Sequence, residues 1–468
     1  MILSRQALQG HNILRPLGLI IAIAFMSTAL GCAATDFNQE RNKHSGEFPK
    51  ALAEKSQALV KVDEPLDLDS CIKIALDNNL DIKIADIKGK LAGIDRNIAF
   101  SYFLPYVDVQ VTRLNNDEQQ LQKAMGAYLA MSDQNITQSV ISAQLAVFNP
   151  QTWFLYSAYK KGEDIQLLVA ERVRQAIRLQ VTALYMACLS QETSGKAVEA
   201  SVEQARALVK QMEAFKREGL ILTSDLDEAK VFLTSQQNNL QDNHRLQKST
   251  KAELMEAMGL SPLSDISLKG APSLSIKDED LTQQIYDALI NRPEMKIEDR
   301  AIAVKEDQVK IAIAGFFPTI GLFTEYTNSS NSYQYYENIW SYGISGVLSV
   351  FDGFADIQKY KAAKQERQQA MIEREQQCLK IMLEVIKARD LLEKAQDMKD
   401  LLTKEESASL SNLKEIQAQW DEGLVTASDR LKAVSRKTTA DANLTLANYQ
   451  YQVAAAAMID VMGLSGKE

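Results

Sequence analysis

Three groups of residues in this chain have types and spacing that could do chemistry. The first is Cys32, which follows Ala29-Leu30-Gly31 at the end of an apolar run from Leu17 to Leu30. Arg5, His11 and Arg15 precede that run, which has the length of an export-signal core and is too short to span a bilayer as a helix. A cysteine placed there resembles a lipoprotein processing site, in which it becomes the lipidated first residue. The order departs from the usual pattern of Leu three residues before the cysteine and a small residue two before it; here Ala29 and Leu30 are exchanged. The competing reading is an ordinary cleaved signal with a coincidental cysteine. The second group is Asp225 and Asp429, each six residues after a glycine, in Gly219-Leu220 and Gly423-Leu424. Such carboxylates can cap a following helix. Repeated around an axis, they would repel one another and attract cations, and Lys432, one helical turn past Asp429, could partly neutralise them. The third is the aromatic set Tyr333, Tyr335, Tyr336, Trp340 and Tyr342, whose amphipathic rings suit a membrane–water interface.

Catalytic and cofactor chemistry finds no such support. Past the export run only His44 and His244 remain, with no Gly-rich phosphate loop, nucleophile elbow or metal-spaced cluster. The chain is therefore read as no enzyme, with no cofactor and no metal. Cys71, Cys188 and Cys378 are far apart and odd in number, which implies no disulfide framework and suits three buried thiols. The net charge of -9 argues against a nucleic-acid partner.

The elements that must position these residues come in two copies. Ala75-Leu76-Asp77-Asn78-Asn79 aligns with Ala288-Leu289-Ile290-Asn291-Arg292, and Leu104-Pro105 with Phe317-Pro318, both at an offset of 213. Val147-Phe148-Asn149-Pro150 then aligns with Val350-Phe351-Asp352-Gly353 at 203. Gly219-Leu220 with Gly423-Leu424, and Met258-Gly259-Leu260-Ser261 with Met462-Gly463-Leu464-Ser465, follow at 204. Five blocks in one order mark a duplication. The fall in offset gives the first copy about ten extra residues in the polar stretch Asn115 to Asn135, as a loop would absorb them.

Each copy has the same texture. Leu68 to Phe103 shows helical spacing, capped by Asp67 or Asp69 and stopped by Pro105, and its counterpart runs from Leu281 to Phe316. After each proline the period becomes two: Val107, Val109 and Val111 alternate with polar residues, as do Trp340, Tyr342, Ile344, Gly346, Leu348 and Val350. Such alternation suits a strand with lipid on one face and water on the other, or a half-buried soluble sheet. The stretches from Asn149 to Gly219 and from Gly353 to Gly423 contain almost no breakers and could form helices on the order of 100 Å long. Return helices follow, Thr223–Leu260 and Thr426–Leu464, so the turns at Gly219–Thr223 and Gly423–Thr426 are hairpin tips.

This order of blocks resembles the TolC-like outer-membrane efflux protein family, from about Leu66 to Ser465. The expected fold is mainly α with a small β part: a tandem helix–hairpin–helix chain forming an α-helical barrel and a transmembrane β-barrel as a trimer, four strands per protomer. The domains expected are a signal peptide (1–31), an N-terminal linker (32–66), repeat 1 (67–262, hairpin about 105–148), an inter-repeat linker (263–280) and repeat 2 (281–465, hairpin about 318–351). The resemblance implies a homotrimer in outer-membrane lipid, extending into the periplasm, that receives cargo from a periplasmic adaptor and an inner-membrane pump. It implies that Gly219, Leu220, Gly423 and Leu424 meet the adaptor. It also implies that Asp225, Asp429, Trp420 and Lys432 line a periplasmic aperture. Trp420, Val425 and Lys432 stand where the family's pattern has a Tyr, an Arg and an Asp, so its polar lock is absent or rebuilt. The alternatives are the exit duct of type I protein secretion and a secreted coiled-coil scaffold or adhesin.

Overall fold

The computed structural model describes residues 37–61, 64–124, 126–270 and 280–465; Cys32 and the export run lie outside the described residues. Helix α1 (Phe37–Leu59) belongs to a unit of its own, and the second unit, from Lys61 on, holds both repeats. Repeat 1 contains α2 (Leu68–Asn78), α3 (Leu80–Ser101), β1 (Tyr106–Asn115), β2 (Leu121–Ala124), β3 (Ala127–Ala130), β4 (Asn135–Phe148), α4 (Pro150–Arg217) and α5 (Thr223–Ala257). Repeat 2 contains α6 (Leu281–Asn291), α7 (Pro293–Ala314), β5 (Thr319–Ser329), β6 (Asn338–Val347), α8 (Ala355–Asp421) and α9 (Ala427–Val461).

Two expectations are corrected here. The helical stretch before each hairpin is two helices, not one. Asn79 ends α2 and caps α3, its side-chain oxygen accepting from the N–H groups of Asp81 (2.8 Å) and Ile82 (3.2 Å). In repeat 2 the break falls at Arg292, and Pro293 opens α7, where its missing N–H costs nothing. The stretch Asn115 to Asn135 is not irregular throughout: β2 and β3 pair in it as a small antiparallel hairpin. Asp67 is the cap of α2, accepting from the Ser70 N–H at 2.9 Å. Burial pushes the Cys71 and Cys188 thiols up to about 12, which keeps them unreactive; Cys378 is half-buried beside Met295.

The four long strands form one antiparallel sheet in the order β1-β4-β5-β6. The helices above them pack in the same order, α3 on α4, α4 on α7 and α7 on α8. This follows from connectivity, since each strand continues directly into, or out of, its helix. Toward the hairpin tips the layer becomes α5-α4-α9-α8. At 68 and 67 residues, α4 and α8 are each about 100 Å long at 1.5 Å per residue.

Midway along the helical layer the two repeats are fastened by charge. Arg172 of α4 makes a fork to Asp460 of α9 (3.1 Å to each oxygen) and reaches Glu294 of α7 at 2.7 Å. Arg292, only 5% exposed, bonds Glu294 (2.7 Å) and Glu384 of α8. Burial pushes the Glu294 carboxyl up, but the hydrogen bonds and charges of Arg292 and Arg172 outweigh it and hold the group below its ordinary range. Nearby, the buried Tyr185 hydroxyl lies 3.1 Å from the Leu66 carbonyl and 2.8 Å from that of Lys269, joining the chain ahead of repeat 1 to the chain behind it.

Candidate functional site

The sheet has two chemically distinct faces. Residues directly opposite in an antiparallel ladder share a face, so the register assigns every strand. One face carries Val107, Val109 and Val111 of β1, Ile141, Ala143 and Leu145 of β4, Ile320, Leu322 and Tyr326 of β5, and Trp340, Tyr342 and Ile344 of β6. The other face carries Asp108, Gln110 and Thr112, then Gln138, Ser142 and Gln144, then Glu325 and Thr327, then Ser341 and Ser345. Val140, Ile339 and Phe323 also lie on this polar face, Phe323 opposite Gly343, where an added Cβ would meet the ring at 2.9 Å. An apolar outer face and a polar inner face are what a transmembrane barrel wall requires. Among the described residues, no helix is long and apolar enough to cross a membrane.

Of the five aromatic residues singled out, Trp340 and Tyr342 lie on the apolar face near the strand end away from the helices. Tyr326, which the sequence reading missed, stands beside Trp340 at 5.6 Å between ring centroids. Tyr333, Tyr335 and Tyr336 sit on the β5–β6 loop. Tyr335 and Tyr336 meet edge to face at 4.7 Å, and the Tyr333 hydroxyl accepts from the Gln119 amide of the first hairpin's loop at 2.9 Å. Further bonds stitch the two loops together: Ser332 N–H to Asp133 at 2.6 Å, Asp133 N–H to Asn331 at 3.1 Å, and Thr137 N–H to Ser330 at 2.8 Å.

At the opposite end, each long helix closes in the same way. Gly219 takes φ 73° and Gly423 φ 72°, a conformation only glycine adopts freely. Gly219 N–H donates to Lys216 O (3.1 Å) and Leu220 N–H to Phe215 O (2.9 Å); Gly423 and Leu424 repeat the pattern to Trp420 O (2.9 Å) and Gln419 O (2.8 Å). These are Schellman closures, with the following leucine left outside the helix. Leu220 and Leu424 are accordingly 66% and 70% exposed.

Asp225 and Asp429 are both the third residue of a return helix, and both cap it. Asp225 accepts from the Leu222 N–H at 3.1 Å and Asp429 from the Thr426 N–H at 3.1 Å. Only the second box is reciprocal: the Thr426 hydroxyl donates to Asp429 at 2.6 Å and accepts from its N–H at 3.3 Å, whereas Leu222 has no side-chain oxygen. The Thr426 hydroxyl and backbone bonds, with the charge of Lys432 behind them, hold the Asp429 carboxyl below its usual range.

Trp420 is half-buried in the core that joins the two tips, a cluster of Leu208, Val209, Met212, Leu226, Ala229 and Leu431. Its ring lies 6.2 Å from that of Phe215, and the Arg430 guanidinium sits over it at 5.7 Å. Arg430 also donates to Gln417 (2.9 Å) and to Gln211 of the other repeat (3.1 Å). Arg430, a residue the sequence reading passed over, thus ties the two hairpins, beside a longer bond from the Ser428 hydroxyl to Glu228 at 3.4 Å. A groove between the tips is lined by Phe215, Ile221, Asp225, Trp420 and Val425. Among the described residues, no group of three or more His, Cys, Asp or Glu could hold a metal ion.

Comparison with known proteins bears on this geometry. Residues 284–464 match the family described as outer membrane efflux protein. A curated relative, Protein CyaE of Bordetella pertussis, is 28% identical over 202 residues, which span 41% of this chain and 42% of that protein, so less than half of the relative's length is matched. The Campylobacter jejuni CmeC outer membrane channel superposes with a TM-score of 0.74 over 85% of this chain and 86% of its own, at 16% identity. The outer membrane protein VceC of Vibrio cholerae does so with a TM-score of 0.71 over 86% and 97%, also at 16% identity. The likeness to TolC-like outer-membrane efflux proteins therefore holds in family for repeat 2 and in fold for most of the chain. The matched family and both of these solved proteins are, by their descriptions, outer-membrane proteins.

Proposed function

We propose that this chain, an outer-membrane efflux protein by its second repeat and by its fold, is the passive exit duct of a tripartite export system, working as a homotrimer with a periplasmic adaptor and an inner-membrane pump. One observation carries the reading: the sheet and the helical layer are open at the same two places. The sheet ends in β1 and β6, and the helices continuing those strands, α3 and α8, end the helical layer. Unpaired strand edges are not tolerated in lipid. Along α3, Leu80, Ile84, Ile87, Leu91, Ile94 and Ile98 repeat every three or four residues and remain 51–55% exposed, a coiled-coil seam without a partner. On α8, Ile372, Leu379 and Leu383 are exposed in turn. A head-to-tail ring closes both openings at once, β1 against the next copy's β6 and α3 against its α8. Three copies give about twelve strands, wider than the roughly eight whose lumen side chains fill.

In this arrangement the tips face the periplasm. Gly219, Leu220, Gly423 and Leu424 meet the adaptor, Asp225, Asp429 and Lys432 line the entrance with Trp420 packed behind them, and Tyr335, Tyr336, Trp340 and Tyr342 lie at the outer interface. Cys32 anchors the chain by lipid. A charge on the seam tests the reading. Ile87→Asp is expected to abolish the heat-sensitive trimer in outer-membrane fractions and the export that depends on it. Unchanged trimer and export in that variant would contradict it.

A further inference from the structure

The polar face of the sheet is charged in one transverse row alone. Going outward from the helices, the first row to span all four strands consists of Tyr106, Gln144, Phe323 and Gly343, the next of Asp108, Ser142, Glu325 and Ser341, and the one after of Gln110, Val140, Thr327 and Ile339. None of the four long strands presents a lysine or arginine on this face. Their one cation, Arg113, pairs with Thr137 on the apolar side, at the end far from the helices.

We infer that the barrel wall itself selects what passes: Asp108 and Glu325 make the lumen prefer cationic permeants, independently of the aspartates at the tips. The inference rests on the trimeric channel reading. With three copies, each carboxylate becomes a ring of three. The two residues are two strands apart, about 10 Å at roughly 4.8 Å per strand, and a strand tilt of ~40° separates their rings by about 6 Å along the axis. A twelve-strand barrel of that spacing and tilt has a backbone radius of about 12 Å. Side chains pointing inward therefore stand within about one Debye length, ~10 Å at 0.1 M salt, of a permeant on the axis. Six carboxylates with no opposing base give that stretch one sign of potential, and the Tyr106 and Phe323 rings on the adjoining row narrow the water that would screen it. The charge acts on passage and needs no bound ion.

The test is the reversal potential of purified full-length trimers in a neutral-lipid bilayer under a KCl gradient. Asp108→Asn with Glu325→Gln is expected to lower the potassium-to-chloride permeability ratio about twofold or more at 0.1 M. The effect should fade in concentrated salt, where the Debye length drops to ~3 Å at 1 M. Ser142→Lys, which sets a cation between the two carboxylates in the row, should lower the ratio at least as far while the trimer still inserts. Conducting trimers whose ratio is unmoved in both variants would overturn the proposal. Failure of Ser142→Lys alone to insert would put that face in lipid and overturn it as well. A wild-type protein that forms no conducting channel would instead refute the channel reading on which it rests.

Discussion

Among the described residues, four helices end in the same Gly-Leu closure, yet the four glycines stand in opposite surroundings. At Gly219 and Gly423 an added Cβ would meet nothing within 4 Å. At Gly259, which ends the return helix of repeat 1, it would lie 2.3 Å from the Asn78 carbonyl oxygen, and at Gly463 it would lie 2.9 Å from the Arg292 nitrogen. The hydrogen bonds are alike: Gly259 N–H to Glu256 O (2.8 Å) and Leu260 N–H to Met255 O (2.9 Å), as at the tips. One local motif therefore serves two purposes. Midway along the layer it lets a helix end press against the break between the two shorter helices, where Asn79 donates to the Ala257 carbonyl at 2.8 Å. At the tips it turns the chain and leaves the surface bare for something else.

The largest effect should fall on the closed pair. Gly259→Ala forces a Cβ into backbone and keeps a positive φ, together about 3 kcal/mol or more. Loss of folded protein from the outer-membrane fraction is the expected readout, and a normal yield would break the comparison. Gly423→Trp should do the reverse. The trimer assembles, because the side chain projects into open space, and export is abolished, because the tip can no longer seat the adaptor. A complementation assay beside an unboiled gel separates these outcomes.

The mid-layer charge cluster also makes stability depend on acid. Glu294, held below its ordinary range, adds stability that is fully present above its unfolded pKa near 4.3 and is lost as pH falls through the lower folded value. Thermal melts on Glu294→Gln should therefore show a smaller fall across that acid window than wild type, and an equal fall would contradict this. Smaller still is the difference between the two capping aspartates. Asp429→Ala should lower the cation selectivity of the reconstituted pore and fray its helix more than Asp225→Ala does, since Thr426 reciprocates and Leu222 does not. Equal effects would mean that the boxes are interchangeable.

What the sequence made legible follows the duplication. Both tip glycines and both capping aspartates recur at an offset of 204, and the structure puts them in matching places. The break at Asn79 was hidden because the apolar period runs through it, from Ala75 to Ile82, whereas at Arg292 the following Pro293 was a visible signal that the reading passed over. The β2–β3 hairpin was hidden because four residues such as Ala127 to Ala130 are too few to show a period. Arg430 was missed for a different reason. A charge on a helix does not reveal which neighbouring helix it will reach, and Gln211 lies 219 residues away. A peptide tag inserted near Ala127 should label on intact cells, since that hairpin continues the strand ends away from the helices; labelling only after rupture of the outer membrane would invert the sheet.

The central claim is that one chain supplies a third of a closed wall, with both of its openings on β1–α3 and β6–α8. The most direct measurement is the native mass of the protein extracted from outer membranes in mild detergent. The account predicts a particle of three chains that Ile87→Asp dissociates. A stable single chain, with its strand edges and the α3 seam uncovered, would contradict it.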